Sequence, residues 1–258
     1  WARAPATGPF SAIDGAPEGA EDRAAMNGAN PPDLAMSPGT VLASRYLVER
    51  QLGVGGMATV LQVKDLRTDR VLALKVLKPD VAAHPEAVER FRREGEFLLG
   101  LKHPALIAVE AIGQLADGRL FLAMELLSGE TLGERIRRGR VAPVDLSPIL
   151  AGAAVGLDAA HKAGVVHRDL KPDNIFLSTP RPGGTVQVKL LDFGISKIDG
   201  RASLTRTGQV LGTPRYMAPE QLRGEEDLDE RIDVYALGVI LYEALTGQPA
   251  FPATAPSE

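Results

Sequence analysis

The sequence predicts an α+β protein in which a β-rich first part is followed by an α-rich second part. Alternating apolar residues at 46–52 and 59–64, on either side of a glycine-rich turn, predict two paired strands. Apolar residues with helical spacing follow at 86–101. The second part contains two apolar segments of helical length, residues 143–163 and 231–246.

The remaining elements are predicted from local signals. Thr131 and Glu134 fit a capping box, which indicates that a short helix begins there. Apolar residues occur nearly all the way round the helix at 231–246, so we expect it to be buried on every side, and Gly247 ends it. Further short strands are expected at residues 71–77, 107–115, 120–126, 174–177 and 186–191.

Length and composition limit the classes of function. The chain has 258 residues, a formal net charge of −4 and no cysteine. It therefore has no basic field for nucleic acid, and disulfides and cysteine-bound metals are excluded. The apolar run at 234–245 is too short to span a membrane, and we find no signal peptide. Residues 1–40 are rich in Ala, Gly and Pro, and we expect them to form a disordered tail.

The glycine-rich turn begins at residue 53. Because Gly53, Gly55 and Gly56 have no Cβ atoms, the backbone there can approach phosphate oxygens closely. This pattern is weak by itself, and a plain hairpin turn is the better reading of it in isolation. A dinucleotide-binding loop would begin a helix, whereas here the chain continues as a strand.

Lys75 lies in the apolar strand at 71–77, and Glu94 lies on the helix that follows. A strand lysine is usually a solvated edge residue, and taken singly each of these residues favours that ordinary reading. If they pair, Glu94 aims the ammonium group of Lys75 at the phosphates of a bound nucleotide.

The loop at residues 167–174 favours the phosphate-binding interpretation over the ordinary one. Asp169 is suited to orient a hydroxyl group and accept its proton, Lys171 to neutralise a transferred phosphate, and Asn174 to bind Mg²⁺. A polar surface loop does not explain this ordered octet.

Two later motifs follow in order. Asp192, Phe193 and Gly194 come directly after a short apolar strand, where the aspartate would hold Mg²⁺ and Phe193 would pack behind the helix of Glu94. Residues 212–220, ending in Ala-Pro-Glu, would form one wall of a peptide-binding groove. Each motif is weak alone, and the order and spacing of the set make it specific.

In this order and spacing the motifs resemble a bacterial eukaryotic-like serine/threonine protein kinase. The resemblance implies a bilobal protein kinase-like fold, with a β-rich N-lobe at 41–127 and an α-rich C-lobe at 128–258. It implies transfer of the γ-phosphate of ATP to serine or threonine hydroxyls of proteins, with Mg²⁺, or Mn²⁺ as an alternative. We expect a cytoplasmic domain, and a membrane anchor beyond residue 258 stays open.

The resemblance also implies an adenine pocket. Met124 would be its gatekeeper, and the backbones of Glu125 and Leu127 would bond the adenine edge as a hinge. Val54 would lie with the three glycines over the phosphates. Four side chains would enclose the ring: Leu52, Val60, Ala73 and Phe176.

Other residues match positions with regulatory or anchoring roles in the family. Arg168 suggests activation by phosphorylation of Thr205 and Thr207, with Thr207 as the dominant site and a kinase homodimer as the means of autophosphorylation. Two solvated loop threonines are the competing reading. Asp233 would anchor the loop at 167–174. His167 and Phe193 would stack with Leu98.

The sequence departs from the family at two places. Gly95 follows Glu94 directly, and because a glycine inside a helix costs about 1 kcal/mol relative to alanine, we expect a loosely held helix. The family has further helices that cover the helix at 231–246 and supply an arginine for Glu220, and the sequence stops at Glu258. We therefore expect a C-lobe that lacks its last helices and weak activity from these residues alone.

Two other classes of function stay open. A pseudokinase would keep the fold as a binding module, but Lys75, Asp169, Asn174 and Asp192 are all present. A small-molecule phosphotransferase has a similar loop, and the long segment that ends at Glu220 favours a protein substrate instead.

Overall fold

The computed structural model describes residues 36–179, 184–193, 214–225 and 227–251. All of these residues belong to one structural unit, Leu34–Glu258.

The first part of the chain forms a six-stranded antiparallel sheet with the strand order β1-β2-β3-β4-β6-β5. Side chains alternate between the two faces of β3, which is why its sequence alternates in burial. The predicted strands of this part are confirmed, with ends that differ by at most two residues. The strand bounds are β1 Val41–Leu42, β2 Tyr46–Val54, β3 Ala58–Asp65, β4 Val71–Leu77, β5 Val109–Gln114 and β6 Leu120–Glu125.

Two helices follow β4 in the chain, α1 (Pro79–Ala82) and α2 (Pro85–Gly100). Pro85 occupies the first turn of α2, where its missing N–H group has no intrahelical partner to lose. Helix α2 packs on β5 and β6, with Phe91 and Leu98 among its buried residues. This face of the sheet therefore receives the helix that carries Glu94.

The second part combines helices with a small antiparallel sheet of order β7-β8-β9. Thr131 and Glu134 form the predicted capping box at the start of α3, and Gly247 ends α6 in the left-handed conformation at φ 68°. The bounds are β7 Gly129–Thr131, α3 Leu132–Arg137, α4 Pro143–Lys162, β8 Ile175–Ser178, β9 Gln187–Leu190, α5 Pro219–Leu222 and α6 Arg231–Thr246.

The core of this second part lies between α4, α6 and the small sheet. Leu157, Leu190 and Ile240 are almost wholly buried there, and Leu98 of α2 belongs to the same cluster. Backbone hydrogen bonds also reach this layer, since the N–H of Ile107 donates to the carbonyl oxygen of Leu190 at 3.0 Å. The β-rich and α-rich parts are therefore joined through packed side chains and backbone.

One prediction about α6 is wrong within the described residues. Val234, Leu241, Tyr242 and Leu245 lie on one stripe of the helix and are 37–62% exposed. The opposite side packs on α4, where Ile240 is fully buried. The described elements cover only the side of α6 that packs on α4. A helix with apolar residues on all sides is therefore not buried on all sides here.

Residues 36–40, which the sequence assigned to the tail, include contacts with the large sheet. Met36 packs against the core of the sheet, and the N–H group of Gly39 donates to the carbonyl oxygen of Val48 at 2.8 Å. The last residues assigned to the tail thus contact β2. The division into tail and lobes otherwise stays a prediction, because residues 1–35 lie outside the described part.

Candidate active site

Three charged side chains from distant parts of the chain meet beside the large sheet. The ammonium group of Lys75 on β4 lies 3.0 Å from a carboxylate oxygen of Glu94 on α2 and 2.8 Å from one of Asp192, just after β9. The side chain of Lys75 is only 13% exposed, whereas that of Asp192 is 57% exposed. The predicted Lys75–Glu94 pair therefore forms, and a second carboxylate joins it.

These contacts perturb all three pKa values. Burial by itself would lower the pKa of Lys75, but the carboxylates of Asp192 and Glu94 outweigh it and hold that pKa above its ordinary value. Burial raises the pKa of Glu94, although Lys75 opposes this. The charge of Lys75 lowers the pKa of Asp192 despite its desolvation. Lys75 and Asp192 are consequently both charged at neutral pH.

The loop at 167–174 is held by contacts within the loop and by hydrogen bonds to neighbouring segments. The side-chain amide of Asn174 donates to the backbone oxygen of Asp169 at 2.8 Å, and the ammonium group of Lys171 lies 3.1 Å from a carboxylate oxygen of Asp169. The N–H group of Leu191 donates to the backbone oxygen of Asn174 at 2.9 Å. Because Leu191 precedes Asp192, this bond brings the loop next to the Lys75 cluster.

A buried aspartate on α6 also accepts hydrogen bonds from the backbone of this loop. Asp233 is 1% exposed, and its two carboxylate oxygens accept the backbone N–H groups of His167 at 2.8 Å and Arg168 at 3.0 Å. The ring of His161 on α4 lies 2.7 Å from the same carboxylate. Arg168 has a positive φ of 63°, a conformation that a side-chain-bearing residue adopts at some cost. The anchor thus supports a strained backbone directly before Asp169.

Aromatic side chains connect the loop with α2. The ring centroids of His167 and Phe193 are 4.5 Å apart, and those of Phe193 and Phe97 are 5.7 Å apart. The His167–Phe193 part of the predicted stack is therefore present and Phe97 of α2 adds to it, while Leu98 belongs to the same large buried cluster as Phe193. Burial lowers the pKa of His167 and so favours its neutral ring.

Comparisons with known proteins agree with this geometry. Residues 46–258 match the family described as "Protein kinase domain". The chain belongs to the protein kinase family.

Its similar relatives are bacterial. The serine/threonine-protein kinase pkn3 of Myxococcus xanthus is 44% identical over 226 residues, which cover 84% of this chain and 40% of that protein. The serine/threonine-protein kinase PknB of Mycobacterium tuberculosis is 40% identical over 221 residues, covering 83% and 34%. The chain therefore spans less than half the length of these two relatives. The crystal structure of the M. tuberculosis PknI kinase domain superposes with a TM-score of 0.68 at 31% identity, covering 86% of this chain and 80% of that one.

The expected adenine-pocket residues of this kinase lie along the sheet and the segment that leaves it. Ala73 on β4 is buried and pairs across the sheet with Met124 on β6. The N–H group of Glu125 donates to the backbone oxygen of Ala108 at 2.9 Å, so this N–H group already has a partner. The other expected members are distributed as follows: Leu52, Gly53 and Val54 are exposed on β2, Gly55 and Gly56 are exposed in the turn, and Val60, Leu127 and Phe176 are partly buried.

A buried lysine behind the hinge was missed by sequence reasoning. The ammonium group of Lys189 on β9 lies 2.6 Å from a carboxylate oxygen of Glu125 and 3.3 Å from the backbone oxygen of Leu106. The same carboxylate oxygen accepts the N–H group of Ala108 at 2.8 Å. A charged residue inside the apolar strand at 186–191 was the signal that could have indicated it.

Gln221 on α5 was also missed. Its side-chain amide donates to the backbone oxygen of Arg168 at 3.1 Å, and its side-chain oxygen accepts the N–H group of Ala218 at 3.0 Å. Gln221 thereby connects the Ala-Pro-Glu segment with the loop of Asp169. Tyr216, in the same segment, donates its hydroxyl to Glu243 on α6 at 2.6 Å.

The side chains expected to bind a metal suit magnesium. The side-chain N–H of Asn174 donates to the backbone oxygen of Asp169, so the side-chain oxygen of Asn174 could bind a metal ion. The carboxylate of Asp192 is 57% exposed. Amide and carboxylate oxygens are ligands that Mg²⁺ uses together with nucleotide phosphates. In the described ranges no three His, Asp or Glu side chains form a metal-binding group of their own, so water molecules and phosphate oxygens would complete the shell of such an ion.

Some expected residues cannot be placed. Gly194, Thr205, Thr207 and residues 212–213 lie outside the described residues. Within the part of the chain that the structure describes, helices long and apolar enough for a bilayer are absent.

The buried anchor gives a prediction for the kinase. Asp233→Asn should lower the free energy of unfolding by about 2–3 kcal/mol, because one carboxylate oxygen becomes an amide that faces backbone donors. Phosphotransfer should fall by about tenfold or more as Asp169 loses its support. Urea unfolding and steady-state kinetics measure both effects. Asp229→Asn is the control, since the ion pair of Asp229 with Arg231 lies at the surface, and equal losses in the two variants would contradict the prediction.

Proposed function

We propose that the protein is a serine/threonine kinase that transfers the γ-phosphate of ATP to hydroxyl groups of protein substrates. The observation that carries this proposal is the convergence of Lys75, Glu94 and Asp192 with the loop of Asp169 and Asn174. The hydrogen bond from Leu191 to Asn174 joins the two groups. Phosphoryl transfer needs positioned charges more than covalent chemistry, and this arrangement supplies them.

Each side chain has a role that its surroundings support. Lys75, kept charged by its two carboxylates, would bind the α- and β-phosphates. Asp169 would orient the substrate hydroxyl and accept its proton, and Lys171, 3.1 Å from it, would neutralise the transferred group. Asn174 and Asp192 would hold Mg²⁺, with Mn²⁺ as an alternative, and the ion would neutralise phosphate charge.

The adenine would enter the cleft beside the sheet. Ala73 and Met124 occupy paired positions on β4 and β6, and the backbone oxygen of Glu125 would accept a hydrogen bond from the amino group of the adenine. The exposed glycine-rich turn would lie over the phosphates, where the missing Cβ atoms allow close approach. The remaining contacts would come from Leu52, Val60, Leu127 and Phe176.

A phosphotransfer assay with radiolabelled ATP tests this function. The full-length protein should label a generic basic protein, and acid hydrolysis of the product should release phosphoserine or phosphothreonine. Exclusive phosphotyrosine would contradict the proposed specificity. Nucleotide binding without any transfer would identify a pseudokinase instead.

Activation by autophosphorylation is a separate part of the proposal. Thr205 and Thr207 precede the Ala-Pro-Glu segment, and a phosphate there adds about −1.5 to −2 charge that Arg168 can bind. Two copies of the kinase would associate for this reaction.

We further propose a cytoplasmic location, which fits the absence of cysteine and the supply of ATP.

Mass spectrometry checks the activation step. In active protein we expect Thr207 to carry the phosphate at higher occupancy than Thr205. Thr207→Ala should lower activity toward added substrate by about tenfold or more, since the loop then lacks its charged partner for Arg168. Ser203→Ala removes a hydroxyl group from the same segment and serves as the control. Full activity with neither threonine modified would refute this part.

A further inference from the structure

Gly95 lies at the closest approach between α2 and the large sheet. The residue is buried, and a Cβ atom built on it would overlap Cδ2 of Leu122 and lie 3.0 Å from Cδ1 of Ile112. The helix backbone therefore rests almost directly on side chains of β5 and β6. The sequence alone indicated only that Gly95 costs helix stability, and the structure adds that its missing side chain permits close packing on the sheet.

The residues under Gly95 belong to the row of the sheet that carries Lys75. Across the strands, Ile112 on β5 pairs with Leu122 on β6, and Leu122 pairs with Lys75 on β4. Along the helix, Gly95 directly follows Glu94. The two residues of this contact are therefore the immediate neighbours of the ion pair: Gly95 follows Glu94 along the helix, and Leu122 lies beside Lys75 on the adjacent strand.

We propose that Gly95 is a positioning residue, whose missing side chain sets the distance between α2 and the sheet at which Glu94 reaches Lys75. This inference rests on the proposed kinase function only for its effect on turnover. A side chain at residue 95 would separate the same two surfaces that the 3.0 Å contact between Glu94 and Lys75 holds together.

The helix is the part that can yield to such a side chain. Leu122 is fully buried and packs in one cluster with Ala58, Leu77 and Phe91, so it has little room to turn away. The outer side of α2 faces solvent and carries ion pairs among charged residues rather than apolar contacts. These outer residues are Glu86, Glu89, Arg90, Arg92, Arg93 and Glu96.

The test is a set of four full-length proteins: wild type, Gly95→Ala, Leu122→Val and the double variant. Gly95→Ala should lower kcat by about 10- to 100-fold at a temperature well below unfolding, because a small displacement misplaces Lys75 and Glu94. Valine has no Cδ atoms, so the double variant should recover to within about threefold of Leu122→Val alone. Additive losses in the double variant would overturn the proposal.

Gly113→Ala is the matched control. A Cβ atom at Gly113 on β5 would overlap Cζ of Phe121, which packs in the cluster on the other face of the sheet from α2. This variant should lower the melting temperature about as much as Gly95→Ala and keep kcat within about threefold. A similar fall of kcat in both variants would show general overpacking and overturn the proposal.

A readout that needs no phosphotransfer separates this inference from the kinase function. An amine-reactive reagent should label Lys75 faster in Gly95→Ala than in wild type, relative to the exposed Lys162, as mass spectrometry measures it. Loss of Glu94 as a partner both uncovers the ammonium group and weakens its hold on a proton. Unchanged labelling would overturn the role of Gly95, whereas wild-type protein without transfer activity would contradict the proposed function alone.

Discussion

Asp169→Asn should reduce phosphotransfer by about 100- to 10,000-fold, the range by which a positioned general base accelerates a reaction. Asparagine has nearly the same shape as aspartate but cannot accept the proton of a substrate hydroxyl. ATP binding should persist, because Lys75 and Asp192 form their contacts without Asp169. Steady-state kinetics and nucleotide titration of the full-length protein measure the two effects separately.

The same loop offers a control for this variant. Asp173 lies four residues later, is 52% exposed and pairs with Arg137 at 3.1 Å. Because surface ion pairs contribute little, Asp173→Asn should keep activity within about threefold. If Asp169→Asn still transfers phosphate at the wild-type rate, either Asp169 has no role in the reaction or the activity comes from a contaminating kinase.

Lys75→Met should lower kcat/KM for ATP by about 100- to 1,000-fold, comparable to the loss of one preorganised group that stabilises charge. The ammonium group also separates two carboxylates, with Glu94 at 3.0 Å and Asp192 at 2.8 Å. Without it, Glu94 keeps its burial and loses its cation, and its pKa should rise further. The free energy of unfolding should fall by about 3–5 kcal/mol, which urea denaturation measures.

Lys64→Met makes the same chemical change on the neighbouring strand β3. The side chain of Lys64 is 37% exposed, and its ion pair with Asp69 is at the surface. Both activity and stability should change little there. Comparable values for Lys75→Met and Lys64→Met would mean that the Lys75 cluster does not bind phosphate.

Local patterns in the sequence predicted the strand, the helix and the loop that carry the candidate site residues. A short apolar run located Lys75 on a strand, now β4, and helical spacing located Glu94 on a helix, now α2, since both patterns are formed by near neighbours in the chain. The ordered octet identified Asp169 and Asn174 because its members interact within one short loop. Asp233 was named through the family resemblance, and the structure shows the two hydrogen bonds by which it anchors the loop.

Other features depend on residues that are distant in the chain. Nothing near Glu125 indicates that Lys189, 64 residues later, is its partner. The exposed stripe on α6 also departs from expectation, because burial depends on which neighbours cover a helix and not on its own composition.

Residue types and their spacing by themselves determined the order of the elements, the resemblance to protein kinases, and the charged side chains that are proposed to bind ATP. The tertiary structure alone decided that Asp192 also contacts Lys75, and that Gly95 lies where a Cβ atom would overlap the side chain of Leu122. The physical reason is range: periodicity and loop motifs act between near neighbours in the chain. Contacts between a helix, a sheet and a later loop exist only once their surfaces have packed.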